Sequence, residues 1–250
     1  MTGPVRPEDA DVTDYVGLLD VDERLGTRVG RRIVLGLMGA GAAGIIFGRP
    51  IQEKTAQVIS GVPGLNQLPV GGRWRIYTVT GGLPKRSQAD YSLRIHGLVD
   101  EELTFSYEQL LELEPTHLTK DFQCVTGWRV EDVKWTGIRL ADLLDAAGVQ
   151  TSATALRFFS FDGIYTESLT LAQARRDDVI VAYSMLGDDI TRAHGGPVRL
   201  YVAPMYGYKS IKWLESIEVT DEVVPGYWER RFYAVDAWIG NSNGRNDNPV

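Results

Sequence analysis

Cys124 is the only cysteine in the chain and lies in the run Asp121-Phe122-Gln123-Cys124-Val125-Thr126-Gly127-Trp128. With no second thiol to pair with, it can serve as a small buried hydrophobe, a nucleophile or a soft thiolate ligand to a metal. A nucleophile needs a base such as His117 or His194, and nothing beside Cys124 in the sequence marks one. A zinc site asks for several Cys or His ligands at short spacing, which one cysteine and three scattered histidines do not supply.

We therefore read Cys124 as a metal ligand of a kind that suffices alone because a cofactor brings the other ligands. A pterin dithiolene carrying molybdenum does so, through its two sulfurs and the oxo groups. Such a cofactor is polar and ends in a phosphate, so the protein must offer donors and at least one fixed cation. The segment His194 to Trp213 has the right residue types: Gly195, Gly196 and Gly207 for close backbone approach, Arg199 for a bidentate fork, and Lys209 and Lys212 around a turn. Taken singly, each basic residue reads as a solvated surface charge, and only their grouping argues for a site.

The elements that position these residues follow from hydrophobic pattern. Strands are expected at Trp74–Thr80, Tyr91–His96, Ala155–Phe161, Val179–Ser184, Val198–Val202 and Leu214–Val219. Ser106 and Gln109 form a capping-box pair ahead of Leu110, Leu111 and Leu113, so a short helix should start there and stop by Pro115. A second helix spans Ile138–Ala147, with Leu140, Leu143, Leu144 and Ala147 on one stripe and Gly148 as its stop. A third short one runs from Leu171 to Arg175. Strands interleaved irregularly with short helices indicate an α+β fold of mixed β-sheets.

The chain divides by composition. Residues 1–32 form an acidic head, expected to be disordered, followed by a basic stretch ending in Arg31-Arg32. Residues 33–48 are uncharged and apolar. At about 1.5 Å per residue they span roughly 24 Å, suited to a signal segment. The arginine pair followed by this Gly/Ala-rich run reads as a twin-arginine-like export signal, or else as a positive-inside membrane tether, and either places the remainder outside the cytoplasm. Residues 49–72, punctuated by Pro and Gly, read as a linker, 73–240 as the catalytic domain and 241–250 as a polar tail. The net charge of −7 lacks the basic stripe that nucleic-acid binding requires.

The run Asp121 to Trp128, the downstream Val133-Lys134-Trp135-Thr136-Gly137, the Gly195-Gly196-Pro197-Val198-Arg199-Leu200 run and the Tyr206-Gly207-Tyr208-Lys209-Ser210-Ile211-Lys212-Trp213 run together resemble the sulfite oxidase family of molybdopterin oxidoreductases. The resemblance covers roughly residues 74 to 233. It is most similar to the single-domain bacterial branch, which includes the catalytic subunit of the periplasmic methionine sulfoxide reductase. It implies the sulfite oxidase molybdopterin-binding fold, with Cys124 ligating molybdenum and Arg199 gripping the cofactor phosphate. Tyr77, Thr78, Ser160, His194, Lys209, Ser210, Ile211 and Lys212 complete the implied cofactor-binding set. His194 stands where the sulfoxide-reductase branch carries Asn, and an imidazole can replace that amide as donor or acceptor.

On the substrate side the resemblance implies fewer residues. Val125-Thr126-Gly127-Trp128-Arg129 replaces the Ala-Gly-Asn-Arg of the sulfite oxidases, so an arginine-lined sulfite pocket does not carry over directly. Arg129 either faces substrate or is a surface charge beside Glu131 and Asp132. Trp128 either walls the pocket or packs in the core. Tyr165 follows a turn that the family places near the active site, and His117 is either a substrate donor or an ordinary loop histidine. The expectation is an exported, monomeric molybdenum-molybdopterin oxidoreductase. It would perform two-electron oxo transfer to or from a sulfoxide, N-oxide or sulfite-like molecule, and needs an external electron partner such as a membrane cytochrome. The alternatives are a metal-free secreted binding or scaffold protein on the same fold and a cysteine-dependent hydrolase.

Overall fold

A computed structural model describes residues 74–240 together with the strand pair member Thr27–Arg28. Apart from those two residues, the expected head, apolar segment, linker and tail lie outside the described residues. No helix among the described residues is long and apolar enough to cross a membrane.

Two five-stranded sheets carry the fold. The strands are β1 (Thr27–Arg28), β2 (Arg75–Ile76), β3 (Ser92–Gly97), β4 (Leu103–Ser106), β5 (Thr116–Gln123), β6 (Arg129–Arg139), β7 (Ala155–Ser160), β8 (Thr166–Thr170), β9 (Val179–Met185), β10 (Asp188–Asp189), β11 (Arg199–Val202) and β12 (Leu214–Thr220). One sheet runs β10-β9-β6-β5 with β11 also on β9, all antiparallel. The other runs β4-β3-β12-β7-β8, in which only β3 and β12 are parallel. β1 and β2 form a separate parallel pair.

β9 reads Val-Ile-Val-Ala over its first four residues, all fully buried, because β6 flanks one edge and β11 the other. The sequence-expected strand at Trp74–Thr80 shortens to Arg75–Ile76, since the chain after Ile76 turns away to line a cavity. The long β5–β6 hairpin is absent from the expected strands because its outer face is charged, and its last residues, Ile138 and Arg139, belong to β6 and not to the expected helix, which starts at Leu140. On the inner face Val133, Trp135 and Gly137 alternate as a half-buried strand should.

Helices are short: α1 (Tyr107–Glu112), α2 (Leu140–Ala147) and α3 (Leu171–Ala174). The Ser106/Gln109 capping box forms as the spacing predicts, and Thr170 and Gln173 form a second one at α3. α2 buries Leu140, Leu143 and Leu144, each contributing about 1.5–3 kcal/mol, against β3, β6 and β9. It thereby clamps one sheet to the other, and stops at Gly148 in the left-handed region. A separate aromatic cluster of Trp74, Phe122, Trp128, Trp135 and Tyr201 packs around the β5–β6 hairpin, with Cys124 against it.

Candidate active site

Cys124 begins the loop that turns β5 into β6. Its amide donates to the Trp128 carbonyl at 2.9 Å and its carbonyl accepts from Gly127 at 2.9 Å, so the loop is closed by its own backbone. The Cys124 sulfur lies 3.2 Å from Thr126 Oγ1 and is half-buried. Behind it, Phe122 stacks on Trp128 at 5.7 Å, Trp74 meets Phe122 at 5.1 Å, and the His194 imidazole meets Trp74 edge-on at 4.8 Å. These rings fix the floor against which the thiol sits.

The opposite side is cationic. A 3₁₀ turn, Arg192–His194, ends at Gly195 with φ +102°, and a cis Gly196–Pro197 bond leads into β11. Arg199, the first residue of β11, is 2% exposed and donates to the carbonyls of His194 at 2.7 Å, Ser210 at 2.8 Å and Leu200 at 3.4 Å. Lys212 donates to the Tyr77 carbonyl at 2.5 Å and sits 4.1 Å from the Trp213 ring centre. Gly195 is required here because a Cβ would lie 2.6 Å from the Cβ of Lys212. Burial lowers Arg199 to about 10, and burial followed by the Arg199 charge lowers Lys212 to about 7.

Thiol and cations open on one cavity of about 1090 Å³, solvent mouth included. Its lining brings together Cys124, Trp128, Tyr77, Thr78, Tyr165, His194, Arg199, Ser210, Ile211 and Lys212 from the sequence-expected set. Among the described residues, the ordered acceptors of Arg199 and Lys212 are carbonyl oxygens and no carboxylate pairs with either. Two enclosed basic groups held by carbonyls and rings, with the Asp162 charge reaching Lys212 only through space, suit an anionic occupant, and a sulfur on the same cavity suits a metal. The residues present therefore fit a phosphate-bearing molybdenum cofactor.

Four expected site residues do not line the cavity. His117 lies on β5, its Nδ1 3.1 Å from Thr136 Oγ1, on the exposed outer face of the hairpin. Arg129 is held by Gln123 Oε1 at 2.9 Å and by Asp121 at 3.4 Å, because both lie opposite or beside it in the hairpin register. Ser160 is buried and caps the Asp162 turn, accepting from the Asp162 amide at 3.1 Å. Lys209 is wholly buried between Glu167 and Glu229, paired with both and off the cavity lining. The expectation missed Arg75, Tyr208, Tyr227, Trp228 and Tyr233, which line the cavity. The aromatic density of residues 206–233 was the available signal.

The description "oxidoreductase molybdopterin binding domain" matches residues 80–228. The chain is 33% identical over 162 residues to the uncharacterized oxidoreductase YuiH of Bacillus subtilis, covering 64% of this chain and 81% of that one. It is 30% identical over 177 residues to the sulfite oxidase of Arabidopsis thaliana, covering 57% of this chain and 45% of the plant enzyme. In fold it is similar to the sulfane dehydrogenase SoxCD from Paracoccus pantotrophus, with a TM-score of 0.54, 24% identity, and 68% and 47% of the two chains covered. The chain thus belongs to the sulfite oxidase family of molybdopterin oxidoreductases, which bind the molybdenum-molybdopterin cofactor.

Proposed function

We propose that this chain is an exported oxo-transfer enzyme in which Cys124 is the sole protein ligand to molybdenum. The observation that carries this is the half-buried Cys124 thiol opening on the same cavity as Arg199 and Lys212, two enclosed basic groups with no carboxylate at ion-pair distance among the described residues. Arg199 and Lys212 hold the cofactor phosphate, with Tyr77, Thr78, His194, Ser210 and Ile211 around the pterin. When bound, the cofactor supplies the two-electron couple and the oxo group.

The chain's own residues orient and enclose. Trp128, Tyr165, Tyr227, Trp228 and Tyr233 wall the cavity with rings, exclude water and suit a neutral, weakly polar substrate. Arg75 lines the same cavity and lies 5.7 Å over the Trp128 ring, where its guanidinium can donate to a substrate oxygen. Arg129, tied to Gln123 and Asp121, stays off the cavity lining, whose arginines among the described residues are Arg75 and the cofactor-side Arg199. That favours a sulfoxide or N-oxide over sulfite. Electrons come from an external partner, such as a membrane cytochrome. The Arg31-Arg32 pair ahead of the uncharged 33–48 segment supports export by a twin-arginine route, which accepts proteins already folded around a cofactor.

Elemental analysis of protein from a cofactor-competent host tests the reading. Stoichiometric molybdenum is expected in the wild type, with loss of turnover and of the sulfur-to-metal charge-transfer band in Cys124→Ser. Full turnover of a molybdenum-free preparation, or an unchanged band in Cys124→Ser, overturns it.

A further inference from the structure

Behind the ring wall sits a charge cluster that the cofactor reading does not use. Glu167 and Lys209 are 0% exposed and Glu229 is 7% exposed. The Lys209 ammonium donates to Glu167 Oε1 at 2.7 Å and to Glu229 Oε1. Glu167 Oε1 also accepts from the Ser168 amide at 2.9 Å, and Glu229 Oε2 accepts from the Gly226 amide at 2.5 Å. Glu167 Oε2 has no hydrogen-bond partner among the described residues.

Two carboxylates share one ammonium, so with all three ionised the cluster would keep a net negative charge in a dry interior. That charge is too costly to maintain unless a proton removes it. Each member also neighbours a cavity-lining residue in sequence: Lys209 lies between Tyr208 and Ser210, Glu229 follows Trp228, and Glu167 is two residues after Tyr165. The three segments are joined further by Tyr165 Oη donating to the Tyr208 carbonyl at 2.7 Å, by the Tyr227 amide donating to the Thr166 carbonyl at 2.8 Å, and by stacking of Tyr165 on Tyr227 at 5.6 Å.

We infer that Glu167 holds a proton at neutral pH and that the neutralised cluster is the positioning device keeping the Tyr165, Tyr208 and Tyr227 segments in register around the cavity. Lys209 and Glu229 face Glu167 directly, while Tyr165 and Tyr208 feel it through space. Burial first, then repulsion from Glu229, raises Glu167 to about 8 against the opposing pull of Lys209. Above that pH the proton leaves to solvent and an uncompensated charge appears beneath the wall. The inference stands on the cluster alone and holds whether or not Cys124 binds metal.

Infrared spectroscopy of the full chain, with near-ultraviolet circular dichroism of the same samples, tests it. The wild type should show a protonated-carboxyl carbonyl band at neutral pH that disappears as pH rises through about 8, together with a step in the aromatic dichroism. Glu167→Gln should lack both the band and the step. Glu229→Gln removes the surplus carboxylate, so Glu167 should ionise beside Lys209 and the band should be lost at neutral pH. No band in the folded wild type, a band persisting in either variant, or an unchanged step in Glu167→Gln overturns the inference. If Glu167→Gln fails to fold, the wild-type titration and Glu229→Gln decide it.

Discussion

The Gly207 amide donates to the Gln123 carbonyl at 2.7 Å, tying the residue before Cys124 to the turn that carries Ser210 and Lys212. The same glycine faces the Phe122 ring so closely that a Cβ would collide with it. Thiol and cationic turn are thereby held at one distance by a single contact of strand end and loop. Gly207→Ala must push Phe122 off Trp74 and Trp128. The expected cost is about 1–3 kcal/mol in urea unfolding, with reduced molybdenum retention in the purified protein.

Gly195→Ala should act from the other side. Its φ of +102° and the 2.6 Å approach to the Lys212 Cβ leave no room for a methyl group. A loss of about 1–3 kcal/mol is expected, with Lys212 displaced from the Tyr77 carbonyl. Denaturant midpoints report the first effect and weakened phosphate binding by the cofactor-free chain reports the second.

Lys212 predicts a pH dependence of definite sign. Its folded pKa, about 7, is below the ordinary 10.5, so the unfolded chain binds more protons between those values. Stability of the cofactor-free chain should therefore rise as pH increases from about 7 toward 10.5, the penalty being complete below 7. At about 1.4 kcal/mol per pKa unit, the change is on the order of a few kcal/mol. Lys212→Met should flatten it, and added inorganic phosphate should stabilise the wild type most below pH 7. Melting temperature against pH, with and without phosphate, measures all three.

Arg75 is expected to grip substrate oxygen. Arg75→Gln should raise KM for a sulfoxide or N-oxide about tenfold, equivalent to about 1.4 kcal/mol, with kcat little changed. Steady-state kinetics on a panel of both substrate classes checks this. Equal KM values in wild type and variant would remove Arg75 from the substrate site.

Arg129→Ala serves as the contrast. Its side chain is engaged by Gln123 and Asp121 outside the cavity and is about one-third exposed, so turnover should stay within a factor of about two, with stability changed by about 0.5–1 kcal/mol. A loss of turnover as large as that from Arg75→Gln would return Arg129 to the site.

Local chemistry was written plainly in the chain. The lone thiol of Cys124, the fork of Arg199 and the ammonium of Lys212 stand in short runs whose types suffice to suggest a metal and an anion, and the start of α1 and the end of α2 follow from a capping box and a terminal glycine. These are properties of neighbouring residues and need no knowledge of what lies across the fold. Lys209 and Lys212, three positions apart in one turn, could not be told apart that way: one is neutralised by Glu167 and Glu229 from distant segments, whereas the other opens to the cavity. His117 and Arg129 are close to Cys124 in sequence, yet the hairpin turns His117 outward and binds Arg129 to the paired strand β5. A side chain's role depends on which carboxylates, carbonyls and rings long-range packing brings within a few ångströms, and that was decided only when the two sheets closed on one another.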